Sequence, residues 1–172
     1  MILFLDFDGV LHPVGSTEKQ YFSRLPLLEK FLRDDAPCWQ VVISSSWREY
    51  FTLQQLIDRF SPDLRNRIIG STPADDDRSL HATWGAQASL YPREVQIRHF
   101  LAQRGLSTEN WVALDDMKGW FRDAETNDHL VLCNPSTGLT EDDLAQLRRK
   151  APKTTNIQQT SCLLTVLSSP CH

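Results

Sequence analysis

The stretch Ile2-Leu3-Phe4-Leu5-Asp6-Phe7-Asp8-Gly9-Val10, at the start of the chain, decides the fold. Its segment Ile2–Phe7 is apolar or aromatic except at Asp6. Such a run predicts a strand that is buried on both faces, as in a parallel sheet covered by helices. Residues two apart on an extended segment face the same side, so Asp6 and Asp8 can point into one space beyond the strand.

Further strands and helices alternate along the rest of the chain. Apolar runs predict strands at Gln40–Ser44, Arg67–Gly70, Trp111–Leu114 and Leu130–Cys133. Helical spacing of apolar residues predicts helices over 26–33, 53–60, 94–104 and 140–150. The alternation predicts an α/β fold of three layers, with a central, mainly parallel five-stranded sheet. Residues 71–92 show little periodicity, which predicts a long irregular segment.

Length and composition narrow the class of protein. The 172 residues amount to about one domain, and we expect a catalytic domain at 1–152 and a tail at 153–172 that is an edge strand or loose. The formal net charge of −4 gives no overall attraction for a polyanion. No apolar run suits a signal peptide or a membrane span, and the four cysteines lack C-x-x-C spacing, which favours reduced thiols. We therefore expect a cytoplasmic protein without a membrane partner, and its oligomeric state stays open.

Acidic residues follow two of the predicted strands. Asp115 and Asp116 come directly after the fourth strand, as Asp6 and Asp8 end the first. Ligands of open parallel sheets bind beyond the carboxyl ends of the strands. Carboxylates that converge there repel one another unless a cation neutralises them, and an all-oxygen ligand set suits Mg²⁺. Capping of loops by these acids is the alternative, but two pairs favour a metal site formed by all four residues.

Serines follow the second strand, where a phosphate could bind. Ser44 and Ser45 bring hydroxyl and backbone N–H groups to the start of the next helix, which suits an anion. Ordinary N-capping by Ser45 or Ser46 is the alternative, and both roles are compatible if Ser44 faces the ligand.

One arginine precedes the fourth strand at an unusual place. Arg93 lies at the start of a helix, where the helix dipole does not favour a cation. Pairing with a phosphate would explain this position. Arg98 and Lys118 are weaker candidates for the same basic role.

In their order along the chain these features resemble the haloacid dehalogenase (HAD) superfamily. The resemblance rests on the start Asp6-Phe7-Asp8-Gly9-Val10, the strand ending at Ser44, the basic residue before the fourth strand, and Asp115-Asp116. A response-regulator receiver also gathers acids at strand ends, but in an order absent here. The segments Ile2–Pro13, Val41–Glu49, Trp111–Asp116 and Gly138-Leu139-Thr140 are similar to the HAD domains of Swiss-army-knife RNA repair proteins.

The resemblance implies a Rossmann-like HAD fold and a role for each site residue. Asp6 would be the nucleophile that forms an aspartyl-phosphate, and Asp8 the general acid and base, with its pKa moved toward the working pH. The implied Mg²⁺ ligands are Asp6, the Asp8 backbone carbonyl, Asp115 and Asp116. The implied phosphate-binding residues are Ser44, Ser45 and Arg93, although the superfamily more often has lysine at the last position.

The resemblance also bears on the substrate. Residues 10–24 and 71–92, where superfamily members insert lids, are too short for a full cap domain, which implies an open site and a large phosphorylated substrate such as an RNA or DNA end. Trp47, Trp84 and Tyr91 could stack on a base or pack a loop against the body. The alternatives are a small-metabolite or nucleotide phosphatase covered by oligomerisation, and a non-catalytic phosphate-binding or interaction module. A nucleophile with a proton shuttle argues against a module that only binds.

Overall fold

A five-stranded parallel sheet forms the centre of the computed structural model, which describes residues 1–74 and 76–150. The strands are β1 (Ile2–Leu5), β2 (Gln40–Ile43), β3 (Ile68–Ser71), β4 (Trp111–Asp115) and β5 (Leu130–Leu132). Their order across the sheet is β3-β2-β1-β4-β5, and every neighbouring pair is parallel. This arrangement confirms the expected α/β fold and places β1, with its acidic end, in the centre.

Helices cover both faces of the sheet. They are α1 (Leu25–Asp34), α2 (Leu53–Ile57), α3 (Arg78–Trp84), α4 (Gln87–Leu90), α5 (Pro92–Gln103) and α6 (Glu141–Lys150). Leu3 and Leu5 of β1 pack in one core with residues of α1, α2 and α6. Phe4 packs in a second core with Ile97 and Leu101 of α5. A strand buried on both faces explains why β1 has no alternation of apolar and polar residues.

The prediction of an irregular segment at 71–92 is wrong, because this part of the chain forms α3 and α4. The Asp77 carboxylate caps the first turn of α3 by accepting a hydrogen bond from the Ser79 N–H at 2.9 Å. Both helices share a small apolar cluster with α5, formed by Leu80, Trp84, Ala88 and Val95. The spacing of four between the first three is a helical signal, but each helix is too short to show a full amphipathic pattern. Neither helix adds a full cap domain.

Alternation along the strands decides which end residues face α5. Phe4 of β1 and Ala113 of β4 pack in the α5 core, so Asp6 and Asp115, two residues on, face the same side. Val42 of β2 lies in that core too, which places Ser44 on this side. At the carboxyl ends of the strands, Asp6, Asp115 and Ser44 therefore lie on the face of the sheet that α5 covers.

Some expectations concern the chain outside the sheet. Every helix in the described part of the chain is too short or too polar to cross a membrane. Cys133 is a free, buried thiol, and for the other cysteines the expectation of reduced thiols stays a prediction. The expected tail at 153–172 lies outside the described residues, and the domain boundary at 152 stays a prediction.

Candidate active site

Three of the four predicted acids converge at the carboxyl ends of β1 and β4. Asp6, Asp115 and Asp116 each offer one oxygen, and these oxygens lie within 4.8 Å of one another. The strands are neighbours in register, and the Asp6 N–H donates to the Leu114 carbonyl at 3.0 Å. Asp6 and Asp115 are buried, while Asp116 is partly exposed. The predicted convergence of strand-end acids therefore occurs, with Asp8 outside the group of three.

Arg93 is the cation that reaches this cluster. It is the second residue of α5, it is buried, and its Nη2 lies 3.2 Å from Asp6 Oδ2. Its Nε lies 3.2 Å from Asp115 Oδ2. The guanidinium group also packs over the Trp120 ring, at 5.0 Å from the ring centroid. Arg93 thus neutralises part of the acidic cluster and still has Nη1 without a hydrogen-bond partner among the described residues.

The two weaker basic candidates lie elsewhere. Arg98 pairs with Glu94 at 2.8 Å, one turn back along α5, and its guanidinium lies over the Trp111 ring. Lys118 is exposed and pairs with Glu125. Neither makes a contact with the acidic cluster, which leaves Arg93 as the candidate for the basic position.

Burial governs the electrostatics of the cluster. It is the main cause that raises the pKa of Asp6 and, more strongly, of Asp115, while the charge of Arg93 opposes the shift of both. Burial also raises the pKa of Asp116 to about 6, and the charge of Asp6 adds to the effect. If all three acids ionise, one arginine leaves the cluster with two uncompensated negative charges. A bound divalent cation would neutralise them, and oxygen donors suit a hard cation, so these residues fit a metal ion.

Gly9 makes room for one of the acids. Its φ is +67°, in the left-handed region, and a Cβ built on it would lie 2.2 Å from Asp116 Oδ2. A side chain at position 9 would therefore strain the backbone and displace Asp116.

This packing gives a prediction for Gly9→Ala. Gly15 offers a matched control, because its φ is +81° but a Cβ there meets nothing within 4 Å. We expect Gly15→Ala to lower the free energy of unfolding by about 1–2 kcal/mol, the usual cost of the left-handed region for a residue with a Cβ. Gly9→Ala should cost about 1–3 kcal/mol more, because of the collision. Urea unfolding of both variants measures the difference, and equal costs would contradict the packing of Gly9 against Asp116.

Buried hydroxyl groups lie beside the acids, at the ends of β2 and β3. The Ser44 N–H donates to the Leu5 carbonyl at 2.8 Å, so Ser44 lies across from Asp6, and its buried Oγ has no hydrogen-bond partner among the described residues. Thr72 follows β3 and lies next to Ser44 in register, since its N–H donates to the Ile43 carbonyl at 2.9 Å. Its Oγ1 is likewise buried and has no partner within the described part of the chain. Buried hydroxyls normally find partners, so this pair suits an incoming polar ligand.

Ser45 fills one of the two roles considered for it. Its Oγ caps the following 3₁₀ turn (Ser46–Glu49) and accepts a hydrogen bond from the Trp47 N–H at 3.5 Å. Burial raises the pKa of Asp6, and the Ser45 hydroxyl, after Arg93, opposes this shift. Ser45 therefore acts as an N-cap near Asp6, while its binding to a substrate phosphate stays a prediction.

Asp8 is held apart from the other acids by two ring N–H groups. His12 Nε2 lies 3.0 Å from Asp8 Oδ1, and Trp47 Nε1 donates to Asp8 Oδ2 at 2.8 Å. The hydrogen bond from His12 is the largest cause that lowers the pKa of Asp8, and the bond from Trp47 adds to it against the effect of burial. The expectation of a pKa moved up toward the working pH is therefore wrong for this structure.

Several contacts differ from the sequence-based expectations. Trp47 donates to Asp8, and Trp84 packs in the α3–α5 cluster with its Nε1 3.4 Å from His99 Nδ1, so both pack rather than offer a free ring for stacking. The ring of Tyr91 lies beneath the Arg122 guanidinium. The sequence analysis missed His12, Trp47 as a partner of Asp8, and Thr72. Only His12 had a local signal, since it follows Asp8 by four residues through a tight turn.

One comparison with known proteins identifies the family. The sequence profile described as "HAD domain in Swiss Army Knife RNA repair proteins" matches residues 2–144, which include every element from β1 to most of the first turn of α6. No curated protein and no solved structure matches the chain. The acids at the ends of β1 and β4 and the serine at the end of β2 lie within the match. The chain belongs to the family of HAD domains found in Swiss Army Knife RNA repair proteins.

Proposed function

We propose that this protein is a Mg²⁺-dependent phosphatase that hydrolyses phosphomonoesters through an aspartyl-phosphate on Asp6. The family points to phosphohydrolase activity in general. The observation that carries the proposal is the convergence of Asp6, Asp115 and Asp116 around Arg93, beside the unpartnered Ser44 hydroxyl. This arrangement offers a carboxylate nucleophile, ligands for a cation, and donors for phosphoryl oxygens.

The reaction divides into two displacements at phosphorus. An Asp6 oxygen forms a bond to phosphorus while the bond to the leaving alcohol breaks, and Asp8, in its protonated form, gives a proton to the leaving oxygen. Because the hydrogen bonds from His12 and Trp47 lower the pKa of Asp8 in the free protein, the negative charge of the bound ester would have to raise this pKa. A water molecule then attacks the phosphorus, Asp8 takes a proton from it, and inorganic phosphate leaves as Asp6 is regenerated. Arg93 Nη1 and the Ser44 hydroxyl, both without partners among the described residues, would donate to phosphoryl oxygens.

Asp6, Asp115 and Asp116 would hold the cation, with the Asp8 backbone carbonyl as the fourth predicted ligand. When bound, Mg²⁺ would supply positive charge that lets an anionic nucleophile approach an anionic ester. The negative charge left over after pairing with Arg93 supports this assignment.

The raised pKa of Asp116 predicts how pH affects the binding of this cation. Its pKa is about 6, so below that pH a proton competes with Mg²⁺. Without metal, the same raised pKa stabilises the folded protein at low pH, and this contribution is lost as the pH rises through about 6. We expect saturating MgCl₂ to raise Tm by several degrees near pH 7.5 and by much less near pH 5. Thermal unfolding with and without MgCl₂ measures this, Asp116→Asn should remove most of the pH effect, and equal Tm shifts at both pH values would contradict the assignment.

We further propose that the substrate is a terminal phosphate of RNA or DNA. The matched family is described from RNA repair proteins. The large apolar side chains that are exposed in the described part of the chain are Val14, Tyr21, Tyr50, Leu53, Leu90 and Met117. Val14, Tyr50 and Met117 lie in connections that leave the carboxyl ends of β1, β2 and β4, the strands that carry the site. An open site with exposed apolar and aromatic side chains in its connections favours a substrate that covers a wide surface.

The test is phosphate release from a panel of phosphomonoesters in the presence of MgCl₂. The panel contains an aryl phosphate, mononucleotides, and RNA and DNA oligonucleotides with a 3′- or 5′-phosphate. We expect release that EDTA abolishes, with the highest kcat/KM on oligonucleotide ends. Preference for mononucleotides would favour the small-substrate alternative, and no release from any ester would overturn the phosphatase assignment.

A further inference from the structure

Two ring N–H donors hold the carboxylate of Asp8, one on each oxygen. His12 Nε2 lies 3.0 Å from Oδ1, and Trp47 Nε1 lies 2.8 Å from Oδ2. His12 is buried and belongs to the loop between β1 and α1, and Trp47 is partly buried and belongs to the 3₁₀ turn after β2. The two residues are 35 positions apart in the sequence and meet at Asp8, where their ring centroids are 5.8 Å apart. We call this pair the Asp8 clamp.

The main chain at Phe22 fixes the donor side of His12. The Phe22 N–H lies 3.5 Å from His12 Nδ1, and because an amide N–H only donates, Nδ1 accepts. The ring proton is then on Nε2, which faces Asp8. Phe22 has φ of +61°, a left-handed conformation that is unusual for a bulky residue. The fold therefore holds an unfavourable backbone conformation where it places an N–H against His12.

Aromatic rings immobilise both donors of the clamp. The His12 ring packs against Tyr21 at 4.7 Å and Phe22 at 5.7 Å between centroids. Trp47 stacks on Phe51 at 5.3 Å and packs edge-on against Phe7 at 5.9 Å. Packed rings of this kind lose little further entropy when they form a hydrogen bond. The two donors are thus rigid, and so is the direction in which their N–H groups point.

Solvation of Asp8 does not require the clamp. The Asp8 side chain is 48% exposed, whereas that of His12 is 1% exposed. Water would satisfy a half-exposed carboxylate equally well, but it would leave the carboxyl group free to rotate. Two fixed donors on two oxygens hold one rotamer and leave a free lone pair on each oxygen.

We infer that His12 and Trp47 are positioning residues that orient the Asp8 carboxyl group for proton transfer to the substrate's leaving oxygen and, in the second displacement, from the attacking water. The inference rests on the proposed function, in which Asp8 is the general acid and base. A fixed acid matters most when the leaving oxygen needs a proton as the bond breaks, and least when the leaving group is stable as an anion.

Trp47→Phe tests the inference, because it replaces the indole by a phenyl ring and so removes the N–H donor while an aromatic side chain remains. The substrates are phenyl phosphate, whose leaving group needs a proton, and para-nitrophenyl phosphate, whose leaving group does not. We expect kcat/KM, which reports the step that releases the alcohol, to fall about 10- to 100-fold for phenyl phosphate and to change by less than about 3-fold for para-nitrophenyl phosphate. His12→Phe should behave in the same way, and His12→Gln, which retains an amide donor, should recover part of the loss. Trp39→Phe makes the same exchange directly before β2, at the opposite edge of the sheet from the Asp8 clamp, and should leave the ratio of the two kcat/KM values unchanged.

A double-mutant cycle distinguishes positioning from general damage to the fold. In an Asp8→Asn background, Trp47→Phe should cause no further loss on phenyl phosphate, because the residue it positions is already gone. Equal losses on both esters, or a Trp47→Phe effect that persists in the Asp8→Asn background, would overturn the inference. The proposed function would still be supported if the wild type is active. If the wild type releases phosphate from these two esters and from every ester of the panel at no measurable rate, the proposed function fails and the inference fails with it.

The hydrogen bond itself has a readout that needs no substrate. Proton–nitrogen NMR resolves the indole N–H signals, and Trp47→Phe assigns the one from Trp47. Asp8→Ala should move that signal upfield, because it loses a charged acceptor. An unchanged signal would show that Trp47 does not bind Asp8 in solution and would overturn the clamp.

Discussion

Asp6→Asn is expected to lower kcat by about 10⁴-fold or more, because an amide oxygen cannot replace the carboxylate that attacks phosphorus. Asparagine has nearly the same shape and can still accept the hydrogen bond from the Phe7 N–H, which is 2.7 Å long in the structure. The variant should therefore fold, and circular dichroism with thermal unfolding checks this. Steady-state kinetics on the best ester of the panel measures the loss of activity.

The intermediate that we propose on Asp6 has a direct test. Wild-type protein is mixed with an ester that carries radioactive phosphate and is then quenched in acid. The protein should retain the label, and hydroxylamine should remove it, because hydroxylamine cleaves acyl phosphates. Asp6→Asn should carry none. Residual activity within about 10-fold of the wild type would contradict the assignment of Asp6 as the nucleophile.

Arg93→Met is expected to lower the free energy of unfolding by about 3–5 kcal/mol in the absence of metal at neutral pH. The reason is that Asp6 and Asp115, both buried, each lose an ion pair of 3.2 Å and gain no other cation. Because methionine fills a volume similar to that of arginine, the lower free energy of unfolding would result from the lost charge more than from lost packing. MgCl₂ should restore more stability to this variant than to the wild type, because the cation supplies the missing positive charge.

Arg98→Met is a matched control on the same helix. Arg98 is partly exposed and pairs away from the cluster with Glu94, which is buried but also accepts a hydrogen bond from the Arg122 N–H. Its loss should therefore cost less than that of Arg93, about 1–2 kcal/mol, and MgCl₂ should not offset this cost. Urea unfolding of the wild type and both variants, each with and without MgCl₂, gives the six values needed. Equal costs for the two arginines, or no extra effect of MgCl₂ on Arg93→Met, would show that Arg93 does not balance the charge of the acids.

Much of the fold could be predicted because each strand is short, apolar and followed by polar residues. A strand that is buried on both faces can be predicted from its own run of apolar residues. Each of the five predicted strands overlaps an observed one. The weakest prediction was the segment at 71–92, where α3 and α4 are stabilised by packing on α5 rather than by their own patterns. Short helices gain most of their stability from such tertiary contacts, which local sequence does not show.

The predictions for the candidate site were likewise correct for some residues and wrong for others. Asp6, Asp115, Asp116 and Ser44 could be placed together because parallel strands bring their carboxyl ends to one edge of the sheet. The contacts of Asp8 could not be placed, since the side chain that reaches its second oxygen comes from Trp47, which is distant in sequence. The direction of the pKa shift of Asp8 follows from those contacts, and it was predicted wrongly for the same reason.

The sequence by itself determined the five strands and their order along the chain, the acidic end of the first strand, and the set of oxygen donors at one edge of the sheet. These properties follow from apolar runs and from the period of two along a strand, both of which are local. Only the tertiary structure decided that Arg93, rather than Arg98 or Lys118, reaches the acids, and that His12 and Trp47 hold Asp8. The first contact depends on the orientation of α5 against the sheet. The second depends on how the loop after β1 packs against the 3₁₀ turn after β2. They are set by packing between residues far apart in the chain, to which no local pattern in the sequence corresponds.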